Sequence, residues 1–267
     1  MSKKMRWIFT AVLVFILALA AGCGGSDSAS SEKKDTLKAI KDRDKLVVGV
    51  KYDTNLFGYK DPASGKVEGF DIDIAKALAK KILGDESKIE LKEVTSKTRV
   101  QMLQNGDIDA IIATMTITEE RKKEVNFTDV YFEAGQSLLV KKGSDVKSVE
   151  DLAGKKVLAV KGSTSVTNVK EKAPDAQVLE FENYAEAFTA LKSGQGDALT
   201  TDNSILYGMA AQDSNYELTG EPFTEEPYGI AIVKGDDEFT KYVNEFLKEL
   251  KDSGEYDKIK QKWIKEE

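Results

Sequence analysis

The sequence predicts an α/β fold of two lobes built alike, with a ligand cleft between them. Three observations carry this. Short apolar, β-branched runs alternate with helical patterns along the chain. One run is repeated, Val47-Val-Gly-Val-Lys51 against Val157-Leu-Ala-Val-Lys161. A second signature follows each in the same order: Leu103-Gln-Asn-Gly-Asp-Ile-Asp109-Ala and Leu191-Lys-Ser-Gly-Gln-Gly-Asp197-Ala, both Leu-x-x-Gly-x-x-Asp-Ala.

The elements read off in order. Leu37 to Lys41 opens a short helix, and Lys45 to Lys51 is a buried strand by its β-branched run. Asp61-Pro62 and Ser64-Gly65 place a turn over Lys60 to Lys66. Asp71 to Leu83 is an amphipathic helix with Ile74, Ala77, Leu78 and Ile82 on one face. Ile89 to Val94 is a strand, Arg99 to Gln104 a helix stopped by Asn105-Gly106, Ile108 to Thr114 a strand and Glu119 to Glu124 a helical turn. Gln136 to Lys141 leads out of this unit. The second unit runs through a short helix (Val149 to Ala153), a strand (Lys156 to Lys161), a helix (Thr164 to Ala173), a strand (Ala176 to Phe181), a helix (Tyr184 to Lys192) and a strand (Asp197 to Thr201). Tyr228 to Lys234 is a strand returning to the first unit, and Asp237 to Ser253 and Tyr256 to Lys265 are closing helices. Alternation of this kind implies parallel sheets.

Composition narrows the function. The 267 residues suffice for one large or two modest domains. The first 22 residues hold three of the 39 basic side chains and no acid, so 36 basic face 46 acidic residues in the rest, a net charge near −10. Such an acidic body argues against nucleic acid as a partner. The chain has no histidine, the commonest general base and zinc ligand. Its one cysteine, Cys23, leaves the body without a disulfide or a thiolate nucleophile.

Met1 to Arg6 is positive and Trp7 to Ala21 is an uncharged run, shorter than the roughly 20 residues a spanning helix needs. This is the pattern of a secretory signal over residues 1–22. Leu19-Ala20-Ala21-Gly22-Cys23 resembles a bacterial lipobox, with Ala20 where leucine is usual. The resemblance implies cleavage before Cys23 and a lipid on it, anchoring the protein to the cell membrane on its outer side. Residues 23–35 are Gly-, Ser- and charge-rich and read as a flexible linker.

In open α/β sheets ligands sit beyond the carboxyl ends of strands. Here those ends are Lys51, Thr114 to Thr118, Lys161 to Ser165, and Asp202, whose opposite charges and hydroxyls suit a zwitterion. Thr114-Met-Thr-Ile-Thr-Glu-Glu-Arg121 leaves a strand and enters a helix, where backbone N–H groups and an arginine fork can hold a carboxylate. The same spacing also suits Thr118 as a helix cap with Arg121 on the surface, and the residues alone leave both open. Asp71-x-Asp73 reads as a helix cap rather than a metal site, and Lys161-Gly-Ser-Thr lacks the spacing of a phosphate loop. Tyr52, Phe57 and Phe70 suit either a cleft wall or the core.

Gly69-Phe-Asp-Ile-Asp-Ile74, Lys97-Thr-Arg99, Leu103-Gln-Asn-Gly106, Ala113-Thr-Met-Thr-Ile-Thr-Glu-Glu-Arg-Lys122, Val125-Asn-Phe-Thr128 and Tyr228-Gly-Ile-Ala occur in this order. Together, from Leu46 to Trp263, they resemble the solute-binding proteins of family 3, which serve polar amino-acid ABC transporters. The resemblance implies a two-lobed periplasmic-binding-protein-like (type II) fold and hinge closure on the ligand. Lobe 1 would comprise residues 36–131 and 231–267, lobe 2 residues 137–224, and the hinge 132–136 and 225–230. It implies a free amino acid and permease subunits as partners, and no cofactor. Arg121 matches the arginine that clamps the α-carboxylate, Thr116 a threonine touching carboxylate and ammonium, Thr164 and Ser165 second-lobe donors to the carboxylate, and Asp202 the acid facing the ammonium. Thr114 opens the same loop.

For the side chain of the ligand, glutamine-binding relatives carry an aspartate where this chain has Lys51 and an aromatic near Ser96. Lys51 and Arg99, two cations at the distal end, favour glutamate or aspartate; a glutamine binder is the alternative. A cleft dehydratase, as in a few relatives of the fold, needs a general acid, and Asp202 is the acid matched to the ammonium. Adhesion is a third function compatible with a tethered body.

Overall fold

The computed structural model describes residues 35–264; the signal, Cys23 and nearly all of the linker lie outside them. Asp35 accepts the backbone N–H of Lys38 and starts α1 (Thr36–Arg43). β1 (Leu46–Val50) follows, then a small antiparallel meander of β2 (Asp53–Thr54), β3 (Gly58–Lys60) and β4 (Val67–Glu68) around the turn the sequence predicts. Next come α2 (Phe70–Leu83), β5 (Ile89–Glu93), α3 (Arg99–Gln104), β6 (Ala110–Ile111), α4 (Glu119–Glu124) and β7 (Val125–Phe127). β8 (Phe132–Ala134) leads to β9 (Gln136–Lys141) in the second lobe. There a 3-10 turn (Val149–Leu152) precedes β10 (Lys156–Val160), α5 (Thr164–Lys172), β11 (Gln177–Phe181), α6 (Tyr184–Lys192), β12 (Ala198–Asp202), α7 (Asn203–Ala210) and β13 (Tyr216–Thr219). β14 (Glu226–Tyr228) pairs antiparallel with β8 between the lobes, and β15 (Ala231–Val233), α8 (Asp237–Asp252) and α9 (Glu255–Trp263) complete lobe 1.

Each lobe has one five-stranded sheet, in the orders β5-β1-β6-β15-β7 and β11-β10-β12-β9-β13. Three strands of each are parallel, as helical crossovers require. The remaining two pairings in each sheet are antiparallel, through β15 in one and β9 in the other, so the sheets are mixed rather than parallel throughout. The run from Tyr228 to Lys234 holds only the last residue of β14, which crosses between lobes, and then β15, which joins the lobe 1 sheet.

Both faces of each sheet are buried, which explains the near-continuous apolar runs. Leu46, Val48 and Val50 pack with α2 and α8, whereas Val47 packs with Leu103, Ile108 and Met115 on the other face. In lobe 2, Leu158 and Val160 face α6 and α7, and Val157 faces α5.

The repeated Leu-x-x-Gly-x-x-Asp-Ala does the same work in both lobes. The leucines are buried, and Gly106 and Gly194 take the left-handed φ values of +79° and +73° that end the preceding helix. Asp109 Oδ2 accepts the Val47 N–H and Asp197 Oδ2 the Lys156 N–H, each at 2.7 Å. This equates Val47 with Lys156 and Lys51 with Val160, one residue away from the match the sequence suggests. A slip of one turns each side chain to the opposite face. Lys51 is accordingly buried, while Lys161 pairs with exposed Glu182.

Candidate functional site

The carboxyl ends of β1, β6, β10 and β12 bring the predicted residues together where the lobes meet. Lys51 leaves β1 almost fully buried, and its Nζ donates to Ser96 Oγ at 3.0 Å. Across the cleft the Tyr184 ring, at the start of α6, stands 5.0 Å from that Nζ. The Tyr184 N–H donates to Asp53 Oδ2 at 2.7 Å, linking α6 to the lobe 1 meander. Burial, reinforced by Arg99 and Arg121, pulls the Lys51 ammonium down to about 8, against the opposing pull of Asp53.

Arg99 is 2% exposed and its Nη1 donates to the Ala113 carbonyl at 2.8 Å. It is thus fastened to the loop after β6 rather than standing free as a second cation for a ligand. Burial first, then Arg121, lowers its pKa to about 9. Thr114 holds φ +46°, a left-handed conformation uncommon outside glycine, and its N–H is held by Asp71 Oδ2 at 3.0 Å. Asp71 is therefore no helix cap: Gly69 occupies that position, and the Asp71 carboxylate turns inward to Thr114 and the Tyr131 hydroxyl. Burial raises Asp71 to about 7 despite those two donors.

Thr118 caps α4 and Arg121 also faces the cleft, so the two roles the sequence leaves open coexist. Thr118 Oγ1 accepts the Arg121 N–H at 3.2 Å, while the Arg121 fork donates to the Thr116 carbonyl at 2.7 Å and, across the lobes, to the Gly162 carbonyl at 3.1 Å. Burial lowers the Arg121 pKa, and Asp202 and Glu226 oppose this.

On the lobe 2 side, Asp202 Oδ2 accepts the Tyr228 hydroxyl at 2.6 Å. Burial and then the charge of Glu226 push Asp202 up to about 7. The Thr164 and Ser165 side chains are engaged elsewhere: Thr164 donates to Glu226 at 2.8 Å, and Ser165 turns inward to Thr201 Oγ1 at 3.5 Å. What α5 offers the cleft is its uncapped N-terminus, whose first-turn N–H groups lack intrahelical acceptors.

Sequence reasoning passed over Tyr184, Asp53 and Glu226. Glu226, buried on β14, also accepts from Asn168 and Thr224. No local pattern marks these positions, because their partners lie in the other lobe or across the crossing. Phe57 and Phe70 prove to be core residues meeting edge to face at 5.7 Å, and Tyr52 donates to the Leu91 carbonyl.

Three buried side-chain atoms have no hydrogen-bond partner in the protein among the described residues: Arg99 Nε, Thr114 Oγ1 and Asp202 Oδ1. All three belong to this cluster. Buried polar atoms are otherwise almost always paired. They leave a guanidinium N–H, a hydroxyl and a carboxylate oxygen free to bond a ligand. Among the described residues no group of acidic side chains could hold a metal ion, and no helix is long and apolar enough to cross a membrane.

The family model of the bacterial extracellular solute-binding proteins, family 3, matches residues 46–266. The chain is 69% identical over 270 residues to the ABC transporter glutamine-binding protein GlnH of Bacillus subtilis (strain 168), covering 98% of this chain and 99% of that protein. It is 63% identical over 251 residues to the glutamine-binding protein of Geobacillus stearothermophilus, covering 88% and 95%. The glutamate-binding protein GluB of Corynebacterium efficiens is more distant, at 34% over 254 residues and 91% and 86% coverage. Among solved structures, an ancestral arginine-binding protein bound to glutamine has a TM-score of 0.79 and 49% identity, over 84% of this chain and 99% of that one.

Proposed function

Because this chain belongs to the bacterial extracellular solute-binding proteins, family 3, we propose that it captures free glutamine outside the cytoplasm and delivers it to the permease subunits of an ABC importer. It is a substrate-binding protein and not an enzyme.

The three unpartnered buried atoms carry the reading. Asp202 Oδ1 accepts the ligand ammonium, with Thr114 and Thr116 beside it. Arg121 and the N-terminus of α5 take the α-carboxylate, aided by the helix dipole. Lys51, Ser96, Tyr184 and Arg99 Nε surround the side chain. The lobes, 36–131 with 231–267 and 137–224, close about the crossings 132–136 and 225–230. Contacts such as Arg121 to Gly162 and Tyr184 to Asp53 belong to the closed form.

Charge balance favours glutamine over the acidic amino acids that Lys51 and Arg99 alone suggest. The cations Lys51, Arg99 and Arg121 already face the buried carboxylates Asp71, Asp202 and Glu226, with Asp53 a fourth beside Lys51. A zwitterion with a neutral side chain preserves that balance; glutamate adds an unmatched buried charge, which is costly. Two relatives more than 60% identical to this chain are glutamine-binding proteins, which points the same way. Calorimetric titration with glutamine, glutamate, aspartate and arginine tests this. Glutamine should bind more tightly than glutamate by at least about tenfold, or ~1.4 kcal/mol; tighter binding of glutamate overturns the assignment.

The protein is held at the membrane through a lipid on Cys23. Mass spectrometry of membrane-derived protein should find the mature chain starting at lipidated Cys23; an unmodified cysteine or another cleavage site refutes it.

A further inference from the structure

At the rim of the cleft the lobes touch through two segments that each break a local rule. Gly208 occupies the second turn of α7, where glycine is a poor helix former. Opposite it, Thr54 to Phe57 form a tight turn closed by the Phe57 N–H on the Thr54 carbonyl at 3.2 Å. Leu56 in that turn holds φ +72°, a left-handed conformation unfavourable for a branched side chain. Strain of this kind persists only where surrounding structure enforces it, and it gathers at functional contacts.

The strained turn presents Asn55 to the glycine. Asn55 Nδ2 donates to the Gly208 carbonyl at 3.0 Å. A Cβ on Gly208 would lie 2.7 Å from the Asn55 carbonyl oxygen and 3.2 Å from its carbonyl carbon and Cβ, the three nearest atoms it would meet. The three nearest atoms that a side chain here would meet thus all belong to lobe 1.

We infer that Gly208 and Asn55 form a closure contact that sets the affinity for every ligand alike, by governing how closely the lobes approach. Gly208 is a positioning residue: it acts through the population of the closed form, which scales apparent affinity without altering selectivity. The inference rests on the lobe closure proposed above. Selectivity resides in Lys51, Ser96, Arg99 and Tyr184, none of which the contact includes.

Alanine at 208 separates the two roles by sign. It favours the helix but blocks the approach of Asn55. Full-length Gly208→Ala should bind glutamine and glutamate each at least tenfold more weakly, with their ratio unchanged within twofold. Its ligand-free melting temperature should not fall. Asn55→Ala, which leaves α7 intact, should weaken both ligands threefold or more at the same ratio. Wild-type affinity in either variant, or a loss confined to one ligand, overturns the inference; if Gly208→Ala melts early, Asn55→Ala alone decides. Small-angle scattering keeps the two proposals apart. A wild-type protein that does not compact with glutamine overturns closure and the inference with it. Compaction together with unaltered affinity in the variants overturns the inference alone.

Discussion

The ammonium of Lys51 lies 5.0 Å from the centroid of the Tyr184 ring, a cation from one lobe roofed by an aromatic from the other. The ring shields Lys51 from water and returns some electrostatic stabilisation through its π face. The shielding dominates, since burial is the largest influence on Lys51 and takes its pKa down to about 8.

Stability should therefore rise with pH on the alkaline side. An unfolded lysine titrates near 10.4. Between about 8 and that value the unfolded chain binds the extra proton, so unfolding becomes less favourable as pH increases. Urea denaturation of glutamine-saturated protein, in which Tyr184 covers Lys51, at pH 7.5 and 8.5, each at constant ionic strength, should show the increase. Lys51→Met should reduce it, and an equal rise in the variant would assign the effect to another group.

Binding should weaken on the acid side. Asp202, raised to about 7 by burial and Glu226, must be ionised to receive an ammonium. Glutamine affinity should fall as pH drops below about 7, approaching tenfold per unit well below it. Calorimetry near pH 6 in buffers of different ionisation heat should register proton release on binding. A heat independent of buffer would contradict the assignment.

Arg121→Ala should weaken every amino-acid ligand by roughly 2–5 kcal/mol, because it leaves a desolvated carboxylate without its cation. Arg121→Lys should recover little of this, since the Arg121 fork reaches the Thr116 and Gly162 carbonyls with separate nitrogens. Titration of both variants against three amino acids, with retention of affinity within threefold as the contrary result, checks it.

Asp71→Ala should cost about 3 kcal/mol of unfolding free energy, since it strands two buried donors, the Tyr131 hydroxyl and the Thr114 N–H. Tyr131→Phe removes a single donor and should cost about 1 kcal/mol. Equal losses in the two variants would show that Asp71 does not anchor Thr114.

Much of the fold was legible because its signals are local. The Leu-x-x-Gly-x-x-Asp-Ala pair marks equivalent turns, and Asp109 and Asp197 confirm the likeness by their matched bonds to the neighbouring strand. The register of the strands was harder, because apolar runs with both faces buried carry no alternation to set it. α7 and β13 went unread: the run from Asn203 to Ala210 is short and apolar on several sides, and helix and strand are alike in such a stretch. In the site, the cations and Asp202 were visible but the other counter-charges were not. Asp71 stands where a cap belongs and Glu226 lies on a crossing strand, so counting Lys51 and Arg99 alone tilted the reading towards an acidic ligand.

The placement of β15 in the lobe 1 sheet bears on how the chain matures. β1, β6 and β7 arise early, yet β15, the strand that joins β7 to β6, and the core helices α8 and α9 come from the far end of the chain. The second sheet, by contrast, draws all its strands from one uninterrupted stretch ending at Thr219. A polypeptide emerging amino end first can thus finish the later lobe while the earlier one still waits for its closing strand. The first lobe can thus be completed only after every strand of the second sheet is already available.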